Sequence, residues 1–249
     1  MHSLHTLSKN ASIVVLTGAG ISAESGLETF RGAGGLWCDH RVEEVATPEA
    51  FEQNPKLVHT FYNMRRSGLL NPEIQPNPAH KALAALEEKW SGNVLIVTQN
   101  IDDLHERGGA QNLLHMHGRI LQAFCIHCSH GTGVKIECRT DLSTENVCPS
   151  CGQKGGLRPD IVWFGEMPYH MDEISAALAS CDLFIAIGTS GHVYPAAGFV
   201  REAMSAGAIT IEMNMEPSLN ASAFNYSIVG PAGTTVPQLV EELLKLFER

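Results

Sequence analysis

The chain has 249 residues, a length that suits one large α/β domain or one domain carrying a small insertion. Lys and Arg total 17 and Asp and Glu total 27, so the formal net charge is −10. An acidic chain has no long-range attraction for nucleic acids or an anionic membrane surface, and we expect neither as a direct partner. No apolar run reaches the roughly 18 residues that a membrane-spanning helix needs.

The first ten residues, "MHSLHTLSKN", lack both the apolar core of a signal peptide and the arginine-rich character of a transit peptide. We therefore expect a cytoplasmic protein. Seven cysteines, an odd number, include two closely spaced pairs. In a cytosolic chain such pairs favour metal binding over disulfide bonds.

Short apolar runs rich in β-branched residues predict the strands. These runs are continuous rather than alternating, as in strands that are buried on both faces of a parallel sheet. The predicted strands are residues 12–17, 93–98, 182–188, 208–213 and 226–230. Helical patterns separate or follow them at residues 78–90, 171–181, 195–207 and 236–248. The alternation predicts an α/β fold with a doubly wound, Rossmann-like parallel sheet.

Two stretches do not fit this alternation. Residues 38–78 are helical in pattern, polar and rich in Pro and Asn, and residues 120–157 contain the paired cysteines. We expect both stretches to leave the sheet and return to it.

Each predicted strand ends in a polar or glycine-rich phrase. In open parallel sheets, ligands bind just beyond the carboxyl ends of the strands, so we expect one extended ligand along this edge. The phrases are "TGAGIS", "TQNIDD", "GTSGH", "EMNMEPS" and "GPAGTT".

Residues 18–23, "GAGISA", match the G-x-G-x-x-G/A pattern directly after the first strand. Glycines allow the backbone to approach a pyrophosphate, and the following helix N-terminus donates N–H groups. A tight strand-to-helix turn also favours glycine, so the motif alone leaves both interpretations open. The acidic residue about 20 positions on, which binds the ribose in dehydrogenases, would be Asp39, but it does not end a strand. Glu212 and Asn214 are the better candidates for the ribose.

Cys125-x-x-Cys128 and Cys148-x-x-Cys151 have the spacing of two zinc knuckles. Four thiolates close a tetrahedral site and leave no position for water, which predicts a structural zinc ion. The alternatives are four unrelated buried cysteines or a nucleic-acid-binding zinc ribbon, and the acidic composition disfavours the ribbon. Further ligand candidates nearby are His127, His130 and Cys138.

The order of several motifs resembles that of sirtuins, the NAD-dependent protein lysine deacylases. The motifs are "GAGISAESGLETFRG", "TQNIDDLHERGG", "HMHG", the cysteine pairs, "RPDIVWFGE", "GTSGHVYPAA" and "EMN". The resemblance implies a single catalytic domain over residues 1–249, with a Rossmann-like large lobe. The smaller lobe would comprise a helical module (38–78) and a zinc-binding module (120–157), and the active site would lie between the lobes.

The resemblance also implies which residues bind NAD. The pyrophosphate loop would be Gly18, Ala19, Gly20, Ile21, Ser22, Ala23 and Glu24, and the cofactor loop would include Phe30, Arg31 and Trp37. The pocket for nicotinamide and its ribose would be Gln99, Asn100, Ile101 and Asp102. Further contacts would come from Gly188, Thr189, Ser190, Asn214, Met215, Glu216 and Ala232.

By the same resemblance His117 is the catalytic base, with Asn100 and Asp102 as further catalytic residues. Nicotinamide would leave, the acyl oxygen would attack the ribose, and His117 would take a ribose hydroxyl proton. Water would then complete the release, and the products would be nicotinamide, free lysine and 2′-O-acyl-ADP-ribose. An imidazole with a pKa of about 6.5 suits this role at neutral pH. From the residues alone, His115 is an equal candidate.

Tyr62 and Arg65 lie three residues apart and would share a helix face. They match the Tyr-x-x-Arg of sirtuins that remove succinyl and malonyl groups, and Ala46 matches that subgroup's small residue in the acyl pocket. A guanidinium can hold a carboxylate with two hydrogen bonds, and a tyrosine hydroxyl can add a third. The alternative is a solvent-exposed arginine. Residues that would pair with the substrate backbone are Val162, Trp163, Phe164, Gly165 and Val193.

The leading prediction is thus an enzyme that transfers acyl groups from lysines of acetylated, succinylated or malonylated proteins, and acts as a monomer. A second interpretation is mono-ADP-ribosyl transfer to protein, which also begins with nicotinamide release. A third is a non-catalytic, zinc-containing module that senses NAD or binds nucleic acid.

Overall fold

The structure is a computed structural model that describes residues 2–29, 40–128 and 134–246. Its strands, in chain order, are β1 (Ile13–Thr17), β2 (Val94–Thr98), β3 (Leu113–His115), β4 (Gly118–Cys125), β5 (Ile136–Glu137), β6 (Leu157–Ile161), β7 (Leu183–Ile187), β8 (Ile209–Asn214) and β9 (Tyr226–Val229).

Helices connect these strands, and short 3₁₀ turns supplement them. The helices are α1 (Val42–Val45), α2 (Pro48–Gln53), α3 (Pro55–Leu69), α4 (Pro78–Lys89), α5 (Leu104–Arg107), α6 (Met171–Leu178), α7 (Phe199–Ser205) and α8 (Ala232–Lys245). None of the helices within the described ranges is long and apolar enough to cross a membrane.

The large sheet has the strand order β3-β2-β1-β7-β8-β9, and every neighbouring pair in it is parallel. The chain builds outward from β1 on one side and from β7 on the other, so the order reverses between these two strands. All five predicted strands belong to this sheet, which confirms the doubly wound α/β prediction. The sequence missed β3, because a run of three residues is too short to show a pattern.

Helices cover both faces of the large sheet, which explains the continuous apolar runs. Helices α4 and α8 pack on one face, where Leu83 and Leu239 meet the strands, and α6 and α7 pack on the other, with Ile174 and Phe199. Helix α8 begins at Ala232, a turn before its predicted start.

The second sheet is small and antiparallel, with the order β5-β4-β6. Its own small core contains Ala123, Leu142 and Leu157 together with three cysteines. Helices α1 to α3 lie beside it and share a core with β4 and β6 through Phe51, Phe61 and other apolar side chains. The two stretches that interrupted the α/β alternation therefore pack on each other away from the large sheet.

Local capping defines the start of the longer helices in this region. The Thr47 hydroxyl accepts a hydrogen bond from Ala50 N–H, and the Asn54 side chain accepts one from Leu57 N–H. Proline follows each cap at the first helical position, where its missing N–H costs nothing. Helix α3, which carries Tyr62 and Arg65, is thereby anchored at its N-terminus.

Candidate active site

A cleft of about 640 Å³ runs along the carboxyl ends of the parallel strands and on beneath the smaller sheet. It crosses the sheet edge where the strand order reverses, the position at which open α/β sheets bind ligands. The expected cofactor residues that line it are Gly18, Ala19, Gly20, Ser22, Ala23, Glu24, Gln99, Asn100, Ile101, Asp102, Gly188, Thr189, Ser190, Asn214, Met215, Glu216 and Ala232.

The expected catalytic and substrate residues line the same cleft. They are His117, Ala46, Tyr62, Arg65, Val162, Trp163, Phe164, Gly165 and Val193. Ile21 differs from the expectation, because its side chain is fully buried in the core of the large sheet and anchors the loop from below. Phe30, Arg31 and Trp37 lie outside the described residues.

The glycine-rich loop packs directly on the loop after β7. A Cβ atom on Gly18 would lie 2.7 Å from the Gly188 carbonyl oxygen, and one on Gly20 would lie 2.6 Å from the Gly188 Cα. Gly188 itself has a φ of 63°, in the left-handed region. These glycines are therefore required for the close approach of two loops at the floor of the cleft, in addition to any contact with a ligand.

Ser22, Asn100 and Asp102 form a hydrogen-bonded cluster on the cleft floor. The Ser22 hydroxyl donates to Asp102 Oδ2 at 3.0 Å and accepts from Asn100 Nδ2 at 3.1 Å. Burial raises the pKa of Asp102, while hydrogen bonds from Leu104 N–H and Ser22 oppose that rise. The cluster holds each of the three side chains in one orientation.

The contacts of the two candidate histidines separate their roles. His117 Nδ1 lies 3.1 Å from the Gln99 carbonyl oxygen, and the ring lines the cleft. Nδ1 must donate to that carbonyl, so Nε2 carries the lone pair of the neutral ring. Burial lowers the pKa of His117, which keeps the ring neutral at pH 7.

His115, by contrast, is buried, and both of its nitrogens contact the protein. Nδ1 lies 3.2 Å from the Asn100 carbonyl oxygen and Nε2 lies 2.9 Å from Glu106 Oε1. Burial would raise the pKa of Glu106, but the hydrogen bond and charge of His115 and the nearby Arg119 outweigh it and lower that pKa. Of the two histidines that the residues alone left equal, only His117 presents a basic nitrogen to the cleft.

Glu212 is not placed to bind a ribose, which corrects one of the sequence-based candidates. Its carboxylate is 1% exposed and accepts hydrogen bonds from Asn214 Nδ2, Ser218 N–H and the Ser227 hydroxyl. It therefore orients the turn after β8 from below. Asn214, which also donates to the Thr189 carbonyl at 3.0 Å, lines the cleft itself.

Three further observations fit a dinucleotide-binding cleft. Gln99 Nε2 is buried at the cleft wall and has no hydrogen-bond partner among the described residues. It can therefore donate a hydrogen bond to a ligand in the cleft. The Glu24 carboxylate accepts a 2.8 Å hydrogen bond from Gly233 N–H in the first turn of α8, which ties the glycine-rich loop to the far end of the cleft. The cleft volume lies within the range of cofactor sites.

At the other end of the cleft, α3 supplies Tyr62 and Arg65, and the small Ala46 leaves room beside them. Tyr62 is 1% exposed, and its hydroxyl accepts a 3.0 Å hydrogen bond from Trp163 Nε1. Burial raises the pKa of Tyr62. The hydrogen bond from Trp163 and the charges of Arg65 and Arg158 only partly oppose this, so the phenol stays protonated. The alternative of a solvent-exposed arginine is wrong, since Arg65 is half-buried at the cleft wall.

The segment after β6 forms the rim of the cleft. Val162 N–H donates to the His117 carbonyl at 2.9 Å, and Phe164 N–H donates to the Ala46 carbonyl at 3.0 Å. Phe164 is largely exposed, whereas Trp163 is 2% exposed and points inward to Tyr62. The Trp163 side chain therefore belongs to the wall of the cleft beside Tyr62.

The sulfur atoms of Cys125, Cys128, Cys148 and Cys151 lie within 4.8 Å of one another. The Sγ–Sγ distances are 3.8 Å for Cys125–Cys151 and 3.6 Å for Cys128–Cys148. A tetrahedral site with zinc–sulfur bonds of about 2.3 Å has an edge of about 3.8 Å, so the cluster fits zinc.

Two of the further ligand candidates do not belong to this cluster. The Cys138 thiol instead donates to the Thr140 carbonyl at 3.5 Å, and the His127 ring packs beside Gly156. His130 lies outside the described residues.

Sequence reasoning missed several residues around the cleft. His80 and His105 lie beneath it with ring centroids 4.9 Å apart, and the His105 ring contacts the Thr17 hydroxyl at 2.9 Å. Arg158 and Glu166 form a two-bonded ion pair under the rim. The motif "RPDIVWFGE" contained this last pair, but a single sequence does not reveal which side chains pair.

Comparison with known proteins finds similarity over most of the chain. Residues 18–195 match the Sir2 family. A protein of Bdellovibrio bacteriovorus is 57% identical over 234 residues, which cover 94% of this chain and 97% of that protein. A Salmonella typhimurium protein is also 57% identical, over 95% of this chain and 85% of its own length. Each is named NAD-dependent protein deacylase.

Solved structures of Sir2 proteins have the same fold as this chain. A Sir2 homologue in complex with NAD superposes with a TM-score of 0.86 at 36% identity, covering 98% of this chain and 94% of its own. A complex of Sir2 with a p53 peptide and NAD⁺ gives a TM-score of 0.78 at 27% identity, covering 97% of this chain and 96% of its own. The family match, the high identity to these relatives and the shared fold together show that this chain belongs to the Sir2 family.

Proposed function

We propose that this protein is an NAD-dependent protein lysine deacylase that prefers succinyl- and malonyl-lysine and retains some deacetylase activity. The observation that carries the proposal is the position of Arg65 and Tyr62 on the wall of the cleft that also contains His117. Relatives at 57% identity that are named NAD-dependent protein deacylase support the reaction. The acyl preference rests on the chemistry of the wall.

His117 would act as the base. Its Nδ1 donates to the Gln99 carbonyl, which leaves Nε2 to take a proton from a ribose hydroxyl. NAD, when bound, would supply the ribose that accepts the acyl group and nicotinamide as the leaving group. Water would complete the release of the amine, so the products would be nicotinamide, free lysine and 2′-O-acyl-ADP-ribose. Asn100 and Asp102, fixed by Ser22, would hold the nicotinamide end of the cofactor in one orientation.

The acyl specificity follows from charge and space. A succinyl or malonyl group ends in a carboxylate, which a half-buried guanidinium binds with two hydrogen bonds more strongly than a fully hydrated guanidinium would. The neutral phenol of Tyr62 is a hydrogen-bond donor to the same group, and Ala46 leaves space for it. An acetyl group is shorter and neutral, so it gains nothing from Arg65.

Turnover of matched peptides tests the proposal. Wild-type enzyme with NAD should release nicotinamide and acyl-ADP-ribose faster from succinyl- and malonyl-lysine peptides than from acetyl-lysine peptides. Arg65→Met should lower desuccinylation at least about 30-fold, because loss of one partner of a buried charge pair costs about 2–5 kcal/mol. Deacetylation by the same variant is the internal control and should change little.

Three other results would contradict the proposal. An equal loss of both activities in Arg65→Met would refute the acyl preference. A gain of ADP-ribose mass on the protein, without acyl-ADP-ribose, would indicate ADP-ribosyl transfer instead. NAD binding without nicotinamide release would indicate a non-catalytic module.

The substrates would be acylated proteins, whose backbone pairs with the exposed rim segment around Phe164 and Gly165. The four clustered cysteines would hold a structural zinc ion, and residues 38–78 and 120–157 would act as modules of one catalytic domain. We propose a cytoplasmic monomer without direct contacts to nucleic acid or membrane.

A further inference from the structure

A buried hydrogen bond connects the rim of the cleft to its acyl end. Trp163 Nε1 donates to the Tyr62 hydroxyl oxygen at 3.0 Å, and the two ring centroids lie 6.3 Å apart. The two side chains are 2% and 1% exposed, so water does not compete for this bond. The hydroxyl that would meet an acyl carboxylate is thus in direct contact with an indole.

Arg158 holds the indole in place. Its guanidinium carbon lies 3.3 Å from the centroid of the Trp163 ring and 4.9 Å from that of Phe124. Arg158 is 5% exposed, so the cation–π contact is desolvated and correspondingly strong. The ring of Trp163 cannot tilt without breaking this contact.

Glu166 in turn holds Arg158 and the Trp163 backbone. Its carboxylate oxygens lie 2.7 Å from Arg158 Nη1 and 2.9 Å from Nη2, and Oε2 also accepts a 2.8 Å hydrogen bond from Trp163 N–H. Arg158 Nη2 further donates to the Ile161 carbonyl at 2.8 Å. One carboxylate therefore fixes both the backbone of Trp163 and the cation on its ring.

The indole bond restricts the phenol proton. A phenolic O–H lies close to the plane of its ring, so it has two main orientations. A hydroxyl oxygen that accepts the Trp163 N–H directs its own proton away from the indole. Because the phenol remains protonated, it stays a donor throughout the neutral pH range.

We propose that Trp163 is a positioning residue for acyl recognition, whose indole N–H orients the Tyr62 hydroxyl so that its proton points to a carboxylate bound by Arg65. Arg158 and Glu166 are positioning residues for that indole. The inference rests on the proposed preference for acidic acyl groups. It assigns the "RPDIVWFGE" segment a role in acyl selectivity, separate from pairing with the substrate backbone.

The test is the ratio of desuccinylation to deacetylation, each measured as kcat/KM on the same peptide sequence. Trp163→Phe keeps an aromatic ring over Arg158 and removes the N–H donor. Loss of one neutral hydrogen bond should lower the ratio about three- to tenfold. Trp90→Phe is the matched control, because Trp90 also loses a buried indole bond, to the Ala11 carbonyl, far from the cleft. Its ratio should stay at the wild-type value.

A double-mutant cycle separates positioning from loss of structure. If Trp163 acts through the Tyr62 hydroxyl, Trp163→Phe combined with Tyr62→Phe should have the same ratio as Tyr62→Phe alone. A ratio in Trp163→Phe equal to that of the wild type, or effects that multiply in the double variant, would overturn the inference. Deacetylation by each variant reports whether its active site is intact.

Glu166→Gln gives a second route if Trp163→Phe fails to fold. The amide keeps an acceptor for Trp163 N–H but weakens the ion pair with Arg158, so the ratio should fall in the same direction. An unchanged ratio in Glu166→Gln would refute the roles of Arg158 and Glu166. If wild-type enzyme itself shows no preference for succinyl-lysine, the proposed specificity fails, and the inference fails with it.

Discussion

At the residue scale, hydrogen bonding distinguishes side chains that look equivalent in the chain. His115 and His117 are two residues apart, yet only one has a ring nitrogen directed to the cleft. The other is held between a backbone carbonyl and the Glu106 carboxylate. A base must have an accessible lone pair, so contact geometry determines which histidine can react.

The pH dependence of His117 provides a test. The base must be neutral, and burial lowers its pKa, so activity should be lost only as the pH falls below the usual value of about 6.5. The acidic limb of a plot of kcat/KM against pH should therefore lie below pH 6.5. His117→Ala should lower kcat about 10²- to 10⁴-fold. An acidic limb above pH 7, or an active His117→Ala enzyme, would contradict the assignment.

At the element scale, helix α3 places two adjacent arginines in different environments. Arg65 lines the cleft, whereas Arg66 is 1% exposed between the helical region and the small sheet. Arg66 donates to the Ile120 carbonyl at 3.0 Å, to Asn63 Oδ1 at 2.8 Å and to the Thr140 carbonyl at 3.3 Å. One helix thus carries a cleft-lining arginine on one face and a structural link on another.

Removal of that link should reduce stability. Arg66→Met leaves these three acceptors without their donor, so the free energy of unfolding should fall by about 2–4 kcal/mol. Urea denaturation measures it. Lys56→Met is the matched control on the exposed face of the same helix and should change stability by less than about 0.5 kcal/mol. Equal effects of the two substitutions would contradict the structural role of Arg66.

The cysteine cluster makes a prediction about the small sheet. Cys148→Ser should abolish stoichiometric zinc and lower the thermal unfolding temperature, because the core of this region contains three of its buried cysteines. Cys138→Ser should retain zinc, because Cys138 lies outside the four-cysteine cluster. The serine hydroxyl can still donate to the Thr140 carbonyl, so the local fold should also be kept. Metal analysis and calorimetry measure both effects. Loss of zinc in Cys138→Ser would show that the ligand set is wrong.

At the scale of the whole molecule, buried histidines beneath the cleft link stability to pH. Burial lowers the pKa of His80 to about 4 and, with the nearby charge of His80, that of His105 to about 3. The unfolded chain binds these protons near pH 6.5 and the folded chain does not. Each neutral histidine therefore contributes fully to the free energy of unfolding above pH 6.5. That contribution falls as the pH falls, by about 2 kcal/mol for each histidine at pH 5.

His80→Asn should remove about 2 kcal/mol from the difference in unfolding free energy between pH 7 and pH 5. Burial raises the pKa of Asp102, so its protonation at acid pH increases stability. This effect is the same in the wild type and in His80→Asn, and it cancels when the two are compared. His170→Asn is the control, since His170 is exposed and asparagine tolerates its φ of 61°. The same pH dependence in His80→Asn and the wild type would contradict this account.

Much of the fold was accessible from sequence because its signals are local. Strands buried on both faces need continuous apolar runs, and two cysteine knuckles need Cys-x-x-Cys, so the five strands and the cluster of four cysteines were both predicted. Strand β3 was missed because three residues carry no periodicity. Glu212 was misjudged as a ribose ligand because its side chain turns inward, which only its partners Ser218 and Ser227 reveal.

The sequence alone determined the five long strands of the large sheet, the helices that alternate with them, the pairing pattern of the four clustered cysteines and the family resemblance. Each of these depends on residues that are close together in the chain. Tertiary structure alone decided which histidine faces the cleft, where Arg66 points and what orients Tyr62. Those answers depend on contacts between distant segments, such as the bond between Tyr62 and Trp163, 101 residues apart. A hydrogen bond constrains both partners only when folding brings them together and excludes water.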